Sequence, residues 1–333
     1  MSRNPYFDNA KILLILMVVI GHFISPIKSN NDLLYSVYKF IYLFHMPAFI
    51  LISGYFSKGF NRPGYFKKIF KKTLIPYAFF QIIYCGFYYV TGYENDFAFT
   101  LFDPHWTLWF LVSLFFWNLL LVPFSKIKAI YTLPLAFIIG IIVGYIPYFG
   151  AYLSIERTFV FFPIFLLGYF LKKEHFLMVK ETKLKWLSIP LLMIIFVGCY
   201  FIFPNSLKDW LLCSFSYAEM GFGDWTGGII RLLFYIAMLL ATISFLSLVP
   251  KRQFAFTHYG ERTLYIYLLH GFFIKLIGLN NSLEQFDSLF QYTIIFILSV
   301  LLCGFLGSKP VKHVMQPLID LQPPNFLKQY NKS

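Results

Sequence analysis

The sequence predicts an all-α, polytopic membrane protein with about ten transmembrane helices and both termini in the cytoplasm. Three observations predict it. The first is composition: of 333 residues 59% are hydrophobic and only 13% charged, with 43 Phe and 24 Tyr. A soluble domain could not cover that much apolar surface, so the lipid bilayer is the solvent for much of the chain. The second is a succession of apolar stretches of span length, at roughly 10–27, 34–56, 74–92, 107–123, 129–147, 158–171, 185–203, 227–248, 263–279 and 288–307. The third is the alternation of charge between the segments that join them.

The first stretch contains KILLILMVVIGHF and ends in GHFISP, not in a small-residue cleavage site. It therefore reads as a span rather than a cleaved signal. The second, KFIYLFHMPAFILISGYF, runs back toward the inside. The third follows the basic run YFKKIFKKTLIPY, and the fourth opens on HWTLWFL. The sixth is short for a span and needs tilt or extension at its ends. With the N-terminus inside, the cytoplasmic loops collect Arg3, Lys58, Arg62, Lys67, Lys68, Lys71, Lys72, Lys126, Lys128, Lys172, Lys173, Lys180, Lys183, Lys185, Lys251, Arg252 and Arg262. The tail adds Lys309, Lys312, Lys328 and Lys332, whereas the outer side holds mainly Lys28, Lys39, Arg157 and Lys208. The positive-inside rule supports an even number of spans. Acidic residues, among them Asp32, Glu94, Asp103, Glu156, Asp209, Glu219, Asp224, Glu284 and Asp287, gather outside.

The net charge of +13 is thus mostly topological. No nucleic-acid-binding motif accompanies it, which excludes nucleic acid as a partner. Residues 1–333 form one membrane domain. Of the four cysteines, Cys85, Cys199 and Cys303 lie in apolar spans as packing residues, and Cys213 stands in an outer loop. No Cys/His metal spacing occurs, so no metal is expected.

Lys11 and His22 carry the most functional information. Eleven helical steps of ~100° return to within roughly 20° of the start, so both side chains share a face about 16 Å apart along the axis. A cation then sits at the inner surface below an imidazole near the bilayer centre. An ionisable group inside a span is costly and marks function by default, although a lone His also serves helix packing. His45 in the second span lies about 18 Å below the outer surface, close to the level of His22. Two imidazoles on neighbouring spans could meet, one as general base and one as orienter. Lys67, Lys68, Lys71 and Lys72 fall within two turns of a helix entering the membrane. Their like-charged i,i+4 pairs repel unless an anion lies between them, and the cluster reads either as topogenic or as a phosphate dock. A polyanion held there and a thin arm reaching His22 describe coenzyme A.

Several segments resemble, in order, those of the acyltransferase-3 integral membrane proteins. FDNAKILLILMVVIGHF is similar to the family's first span, with Arg or Lys, ten residues, then His. HMPAFILISGYFSK, KKIFKKTLIPY, HWTLWFLVSLF, RTFVFFPIFLLGYFL and GERTLYIYLLHGFFI follow in the family's order, and the resemblance covers about residues 5–275. HMPAFILISGY and HWTLWFL look most like the fucose 4-O-acetylase-like branch. The resemblance implies O-acylation, commonly acetylation, of a cell-surface or exported glycan or glycolipid by cytoplasmic acyl-CoA. It makes His22 catalytic, with Lys11 as its cationic motif partner, and assigns Lys67, Lys68, Lys71 and Lys72 to coenzyme A phosphates. Lys11 stands where Arg is commoner, which keeps the charge and loses the bidentate fork. Polysaccharide-assembly proteins are the implied partners. The Lys-, Phe- and Ile-rich composition points to a bacterium with an AT-rich genome, and so to the plasma membrane.

Other polar residues divide between packing and substrate contact. Trp109 reads as an interfacial aromatic or a substrate platform, His270 in YLLH as core or cavity lining, and Arg157 as an ion pair with Glu156 or an acceptor contact. Arg231 and Lys275 read as snorkelling cations. In the outer stretch 204–226, Trp210, Trp225, Glu219 and Asp224 compose either a sugar platform or an interfacial loop. The alternative function is a transporter or exporter of a glycan intermediate, which ten spans with buried His and Lys would also suit. No inverted repeat supports it. Within the acyltransferase reading, direct attack with His22 as base and an acyl-His22 relay both stay open.

Overall fold

The structure is a computed structural model that describes residues 4–97, 99–147, 152–181, 184–279, 286 and 288–321. Arg3, Lys183, Glu284, Asp287, Lys328 and Lys332 lie outside the described residues. About 78% of the chain is helical, with no strand among the described residues. All ten apolar stretches form helices. They are α1 Pro5–Ile24, α2 Asp32–Phe56, α3 Tyr65–Val90, α4 Trp109–Phe124, α5 Ala129–Ile142 and α6 Ile155–Phe170, then α8 Leu184–Phe201, α10 Trp225–Leu248, α11 Thr263–Gly278 and α12 Leu289–Leu306. Three further helices, α7 Lys173–Glu181, α9 Asp209–Leu212 and α13 Lys309–Ile319, are polar or short and carry no span-length apolar run. Six segments are long and apolar enough to cross a membrane: Pro5–Ile24, Asp32–Gly59, Tyr65–Val90, Tyr152–Phe170, Trp225–Leu248 and Leu289–Leu306. A seventh results if α7 and α8 form one bent span.

The helices group into two compact units, each assembled from separated stretches of chain. Unit 1 comprises residues 1–30, 66–112 and 251–333, and unit 2 residues 31–65 and 113–250. In unit 1, α1 packs on α11, α12 and the turn Thr257–Glu261, and α11 also meets α13. Asn4 caps α1 by accepting from the Tyr6 N–H, and Pro5 follows at the first helical position, where its missing N–H costs nothing. Asn9 ties α1 to the segment before α11. Its amide donates to the Arg252 carbonyl at 2.8 Å and its oxygen accepts from Thr257 Oγ1 at 2.6 Å.

In unit 2, α2 lies against α6, α8 and α10, and α5 against α6. The α2–α6 crossing is set by two glycines. A Cβ on Gly54 would stand 1.9 Å from the Phe165 carbonyl oxygen, and one on Gly168 would stand 2.0 Å from that of Leu51. Only a missing side chain on both helices permits this approach, as in small-residue packing between membrane helices. Buried polar groups complete the unit: Trp117 Nε1 donates to the Thr158 carbonyl at 2.7 Å and Tyr235 Oη to that of Val160 at 2.6 Å. Lys39, expected as an outer charge, is buried, and its ammonium donates to the Phe203 carbonyl at 2.6 Å and to Asn205 Oδ1 at 2.9 Å. The large apolar side chains left exposed include Trp186, Met193 and Phe201 on α8, Leu233 on α10 and Leu289, Phe290 and Leu301 on α12. Such continuous apolar surface belongs against lipid tails.

Candidate active site

Unit 1 brings His22 together with His270 and a tryptophan that the sequence did not single out. His22, near the end of α1, is half-buried. Its ring lies 4.6 Å, centroid to centroid, from Trp106 in an edge-to-face arrangement and 5.4 Å from His270, while Trp106 and His270 are 5.7 Å apart. The three rings thus touch one another.

His270 is fully buried on α11. Its Nδ1 is 3.0 Å from the Ile266 carbonyl one turn earlier. A carbonyl can only accept, so Nδ1 carries the proton and Nε2 presents its lone pair. That Nε2 meets no hydrogen-bond partner, and neither does the buried hydroxyl of Tyr84. Unpaired buried polar atoms are expensive, each costing about 1–3 kcal/mol.

Local geometry explains how Trp106 arrives there. Its backbone adopts φ of +44°, a left-handed conformation that is strained for a bulky residue. The preceding loop is pinned to α3: Gln81 Nε2 donates to the carbonyls of Thr100 and Asp103, both at 2.8 Å, and Gln81 Oε1 accepts from the His105 N–H at 2.9 Å. On the far side, Gly271 leaves the space the indole needs. A Cβ there would lie 2.6 Å from Trp106 Cζ3 and 2.0 Å from Tyr84 Oη. Tyr267 Oη donates to the Thr107 carbonyl and holds the strand of chain that follows. Trp109, three residues on, is buried in the first turn of α4 beside Phe110. The sequence pattern HWTLW pointed to the second tryptophan, and the structure sets the first against the histidines.

Cys85, read as a packing residue, has a polar partner: its Sγ is 3.3 Å from His105 Nε2. Burial pushes the His105 imidazole down, against the opposing pull of Glu94 and Asp103, so it is neutral at pH 7. Lys275 does not simply snorkel. Its ammonium lies 4.5 Å from the Tyr93 ring centroid and 5.4 Å from those of Tyr88 and Trp106.

Below His22 on α1, Lys11 pairs with Asp8 one turn earlier at 2.7 Å, and the Lys11 side chain remains 24% exposed. Ile15 and Val18, on the line between Lys11 and His22, are buried. Lys67, Lys68, Lys71 and Lys72 occupy the first two turns of α3, all exposed. Among the described residues no carboxylate lies within ion-pair distance of them.

His45 and Arg157 belong to unit 2. His45 is buried, its Nδ1 donating to the Ile41 carbonyl at 2.7 Å, the tautomer that His270 also adopts, and its ring lies 4.9 Å from Tyr42. The ring neighbours shown for His22 are Trp106 and His270. Arg157 Nε donates to the Leu212 carbonyl at 3.0 Å. Trp210 is no sugar platform: it is fully buried, stacked on Tyr217 and Phe234, whereas Trp225 is 72% exposed. Glu219 is used locally, accepting from the backbone and hydroxyl of Ser216.

A family model described as an acyltransferase domain matches residues 4–307. Nodulation protein NolL of Sinorhizobium fredii (strain NBRC 101917 / NGR234) is 29% identical over 142 residues, which are 38% of this chain and 39% of the relative. Nodulation protein NolL of Mesorhizobium japonicum (strain LMG 29417 / CECT 9101 / MAFF 303099) is 44% identical over 61 residues, 17% of this chain and 16% of the relative. The chain therefore spans about two-fifths or less of the length of these curated relatives. No solved structure matches it.

Proposed function

Because the chain belongs to the acyltransferase family whose model spans residues 4–307, we propose that it transfers an acyl group from acyl-CoA to a hydroxyl of a glycan or glycolipid acceptor. The observation that carries this reading is the His22–His270–Trp106 cluster with its unpaired His270 Nε2. The match over nearly the whole chain supports it and gives no comparable support to an exporter. The segments HMPAFILISGY and HWTLWFL favour acetyl as the acyl group.

His22 takes the proton of the acceptor hydroxyl, and the oxygen attacks the thioester carbonyl carbon. The charge that develops on the carbonyl oxygen needs donors already in place. Tyr84 Oη, a buried hydroxyl that meets Gly271 beside Trp106 and has no partner, serves as such a donor. Collapse of the tetrahedral intermediate breaks the C–S bond, and protonated His22 returns its proton to the departing thiolate. His270 acts through His22. Fixed as the Nδ1–H tautomer, it can only accept at Nε2, so it stabilises the imidazolium that His22 becomes. The left-handed backbone at Trp106 and the space left by Gly271 seat the indole against His22.

At the cytoplasmic surface, Lys67, Lys68, Lys71 and Lys72 hold the phosphates of coenzyme A as point charges, and Lys11, tethered by Asp8, stands between that surface and His22. Six long helices, the bent α7–α8 pair and the three shorter apolar helices α4, α5 and α11 together make the ten spans of this reading, with both termini inside and the cell membrane as the location. The test is incubation of the purified protein with radiolabelled acetyl-CoA and a candidate glycan. Label transferred to the glycan supports the reading. Absence of transfer to every hydroxylated acceptor, with acyl-CoA shown to bind, counts against it.

A further inference from the structure

The segment before α11, KRQFAFTHYGER, carries an exposed stack of rings that the acyl-transfer chemistry does not use. The Phe254 and Phe256 rings lie 5.1 Å apart, centroid to centroid, with 6° between their planes. The Arg252 guanidinium stands 4.5 Å from the centre of the Phe254 ring. Arg252 and Phe256 are exposed, Phe256 to 38%, and Phe254 is half-buried. Ring pairs that meet only to exclude water pack edge to face as readily as in parallel. Two near-coplanar rings backed by a guanidinium and held at the surface present instead a flat π face, the kind of platform on which proteins stack a nucleic-acid base.

The loop is fixed in this form from below. Buried Thr257 accepts at Oγ1 from the Phe254 N–H at 2.8 Å and donates to Asn9 Oδ1 at 2.6 Å. Asn9 Nδ2 donates to the Arg252 carbonyl at 2.8 Å. The Thr257 and Tyr259 N–H groups donate to the Phe254 and Phe256 carbonyls at 3.1 and 3.0 Å. Each residue of the stack is thus held through its own backbone, so little ordering is left for a ligand to impose. Gly260 closes the loop onto α1, where a Cβ would lie 2.2 Å from the Asp8 carbonyl oxygen. The platform therefore sits on the first turns of α1, where Asp8 pairs with Lys11. Glu261 is the one carboxylate in the segment, against Lys251, Arg252 and Arg262.

His22 follows Asn9 by thirteen residues on α1, about 20 Å along the axis. A donor with a planar base on this loop and its acyl carbon at His22 needs a long, thin arm between the two. Acyl-CoA has that form: adenine at one end, phosphates beside it, then the pantetheine arm. We propose that the Phe256 face, with Phe254 and Arg252 behind it, is the adenine subsite of the acyl donor. The purine stacks on Phe256, and the exposed Arg252 meets a phosphate beside the base. The subsite rests on the acyl-CoA reading for the identity of its ligand. It recognises a base, whereas the lysines of α3, in the same unit, recognise only charge.

The test is equilibrium binding to the purified full chain in detergent, without acyl donor or acceptor, of adenosine 3′,5′-bisphosphate and of inorganic pyrophosphate, which is also polyanionic but lacks the base. The nucleotide should bind at least fivefold tighter than pyrophosphate. Phe256→Leu keeps an apolar side chain and removes the ring, so it should weaken nucleotide binding at least fivefold and leave pyrophosphate binding unchanged. Phe256→Trp keeps a ring and should retain affinity, and the nucleotide should quench the added indole; this readout serves where Phe256→Leu does not fold. Equal affinity for nucleotide and pyrophosphate, or no quenching in Phe256→Trp beyond that of the wild type, would overturn the subsite. So would unchanged nucleotide affinity in Phe256→Leu, the result expected if these rings only anchor the loop among lipid headgroups. Any of these leaves the acyl-transfer reading standing, since that reading is judged by transfer of label from acetyl-CoA.

Discussion

Replacing Gly271 by alanine adds one methyl group at the back of the His22–Trp106–His270 cluster without touching a titratable atom. The added Cβ would lie 2.0 Å from Tyr84 Oη and 2.6 Å from Trp106 Cζ3. To restore ordinary contact near 3.5 Å, the tyrosine oxygen must retreat by roughly 1.5 Å and the indole edge by roughly 0.9 Å. Both neighbours are side-chain ends, so the helix itself need not unwind, and overpacking of this kind costs about 1–3 kcal/mol of stability. The catalytic consequence is larger in proportion. A shift near 1 Å in a group that positions the reaction lowers turnover about 10²-fold, equivalent to roughly 2.7 kcal/mol of barrier. The assay is steady-state acyl transfer from labelled acetyl-CoA by detergent-purified Gly271→Ala, with kcat and KM for acetyl-CoA separated. The expected result is a fall in kcat with KM little changed, since the lysines of α3 are untouched. Wild-type kcat in a folded Gly271→Ala protein would refute the placement of Tyr84 and Trp106 at the reacting centre.

Three further outcomes follow from the same geometry. Replacing Lys68, Lys71 and Lys72 by Gln should weaken acyl-CoA binding at least tenfold and flatten its dependence on salt, measured by equilibrium binding between low and high ionic strength; unchanged affinity would leave the cluster purely topogenic. His45→Gln should lower turnover more than acyl-CoA affinity if His45 assists the transition state, and a loss confined to affinity would remove it from the chemistry. Gly54→Ala, whose Cβ would meet the Phe165 carbonyl oxygen at 1.9 Å, presses on backbone that cannot turn aside. It should therefore destabilise the α2–α6 pair by about 1–3 kcal/mol, seen as a lower midpoint of thermal unfolding in detergent.

The helices could be read in advance because each span is a continuous apolar run, and an isolated backbone in lipid must satisfy its own hydrogen bonds. α7 and α13 escaped because KEHFLMVKE and KPVKHVMQPLI alternate polar and apolar residues, and α9 is only four residues long. Lys11 and His22 could be placed on one helix because their spacing is local. The pairing of His22 with His270 could not, since it joins α1 to α11 across more than two hundred residues and depends on how spans far apart in sequence pack. Trp106 was missed for a different reason: a positive φ at a non-glycine residue leaves no mark in composition. Gly271, directly after His270 in YLLHG, was the available hint, because a glycine inside a span often admits a bulky neighbour. Arg231 in GGIIRLLFY was misread because a lone cation in an apolar run is ambiguous until its neighbours are known, and here they are aromatic rings and a backbone carbonyl.

The central claim is that His22 performs the proton transfer in acylation. The most direct measurement compares wild type with His22→Ala, both purified in folded form and shown to bind acetyl-CoA, in transfer of labelled acetyl groups to a glycan acceptor. Removal of the general base should lower transfer by at least 10²-fold while acetyl-CoA affinity stays within a few fold of wild type. Transfer by His22→Ala at the wild-type rate would contradict the account.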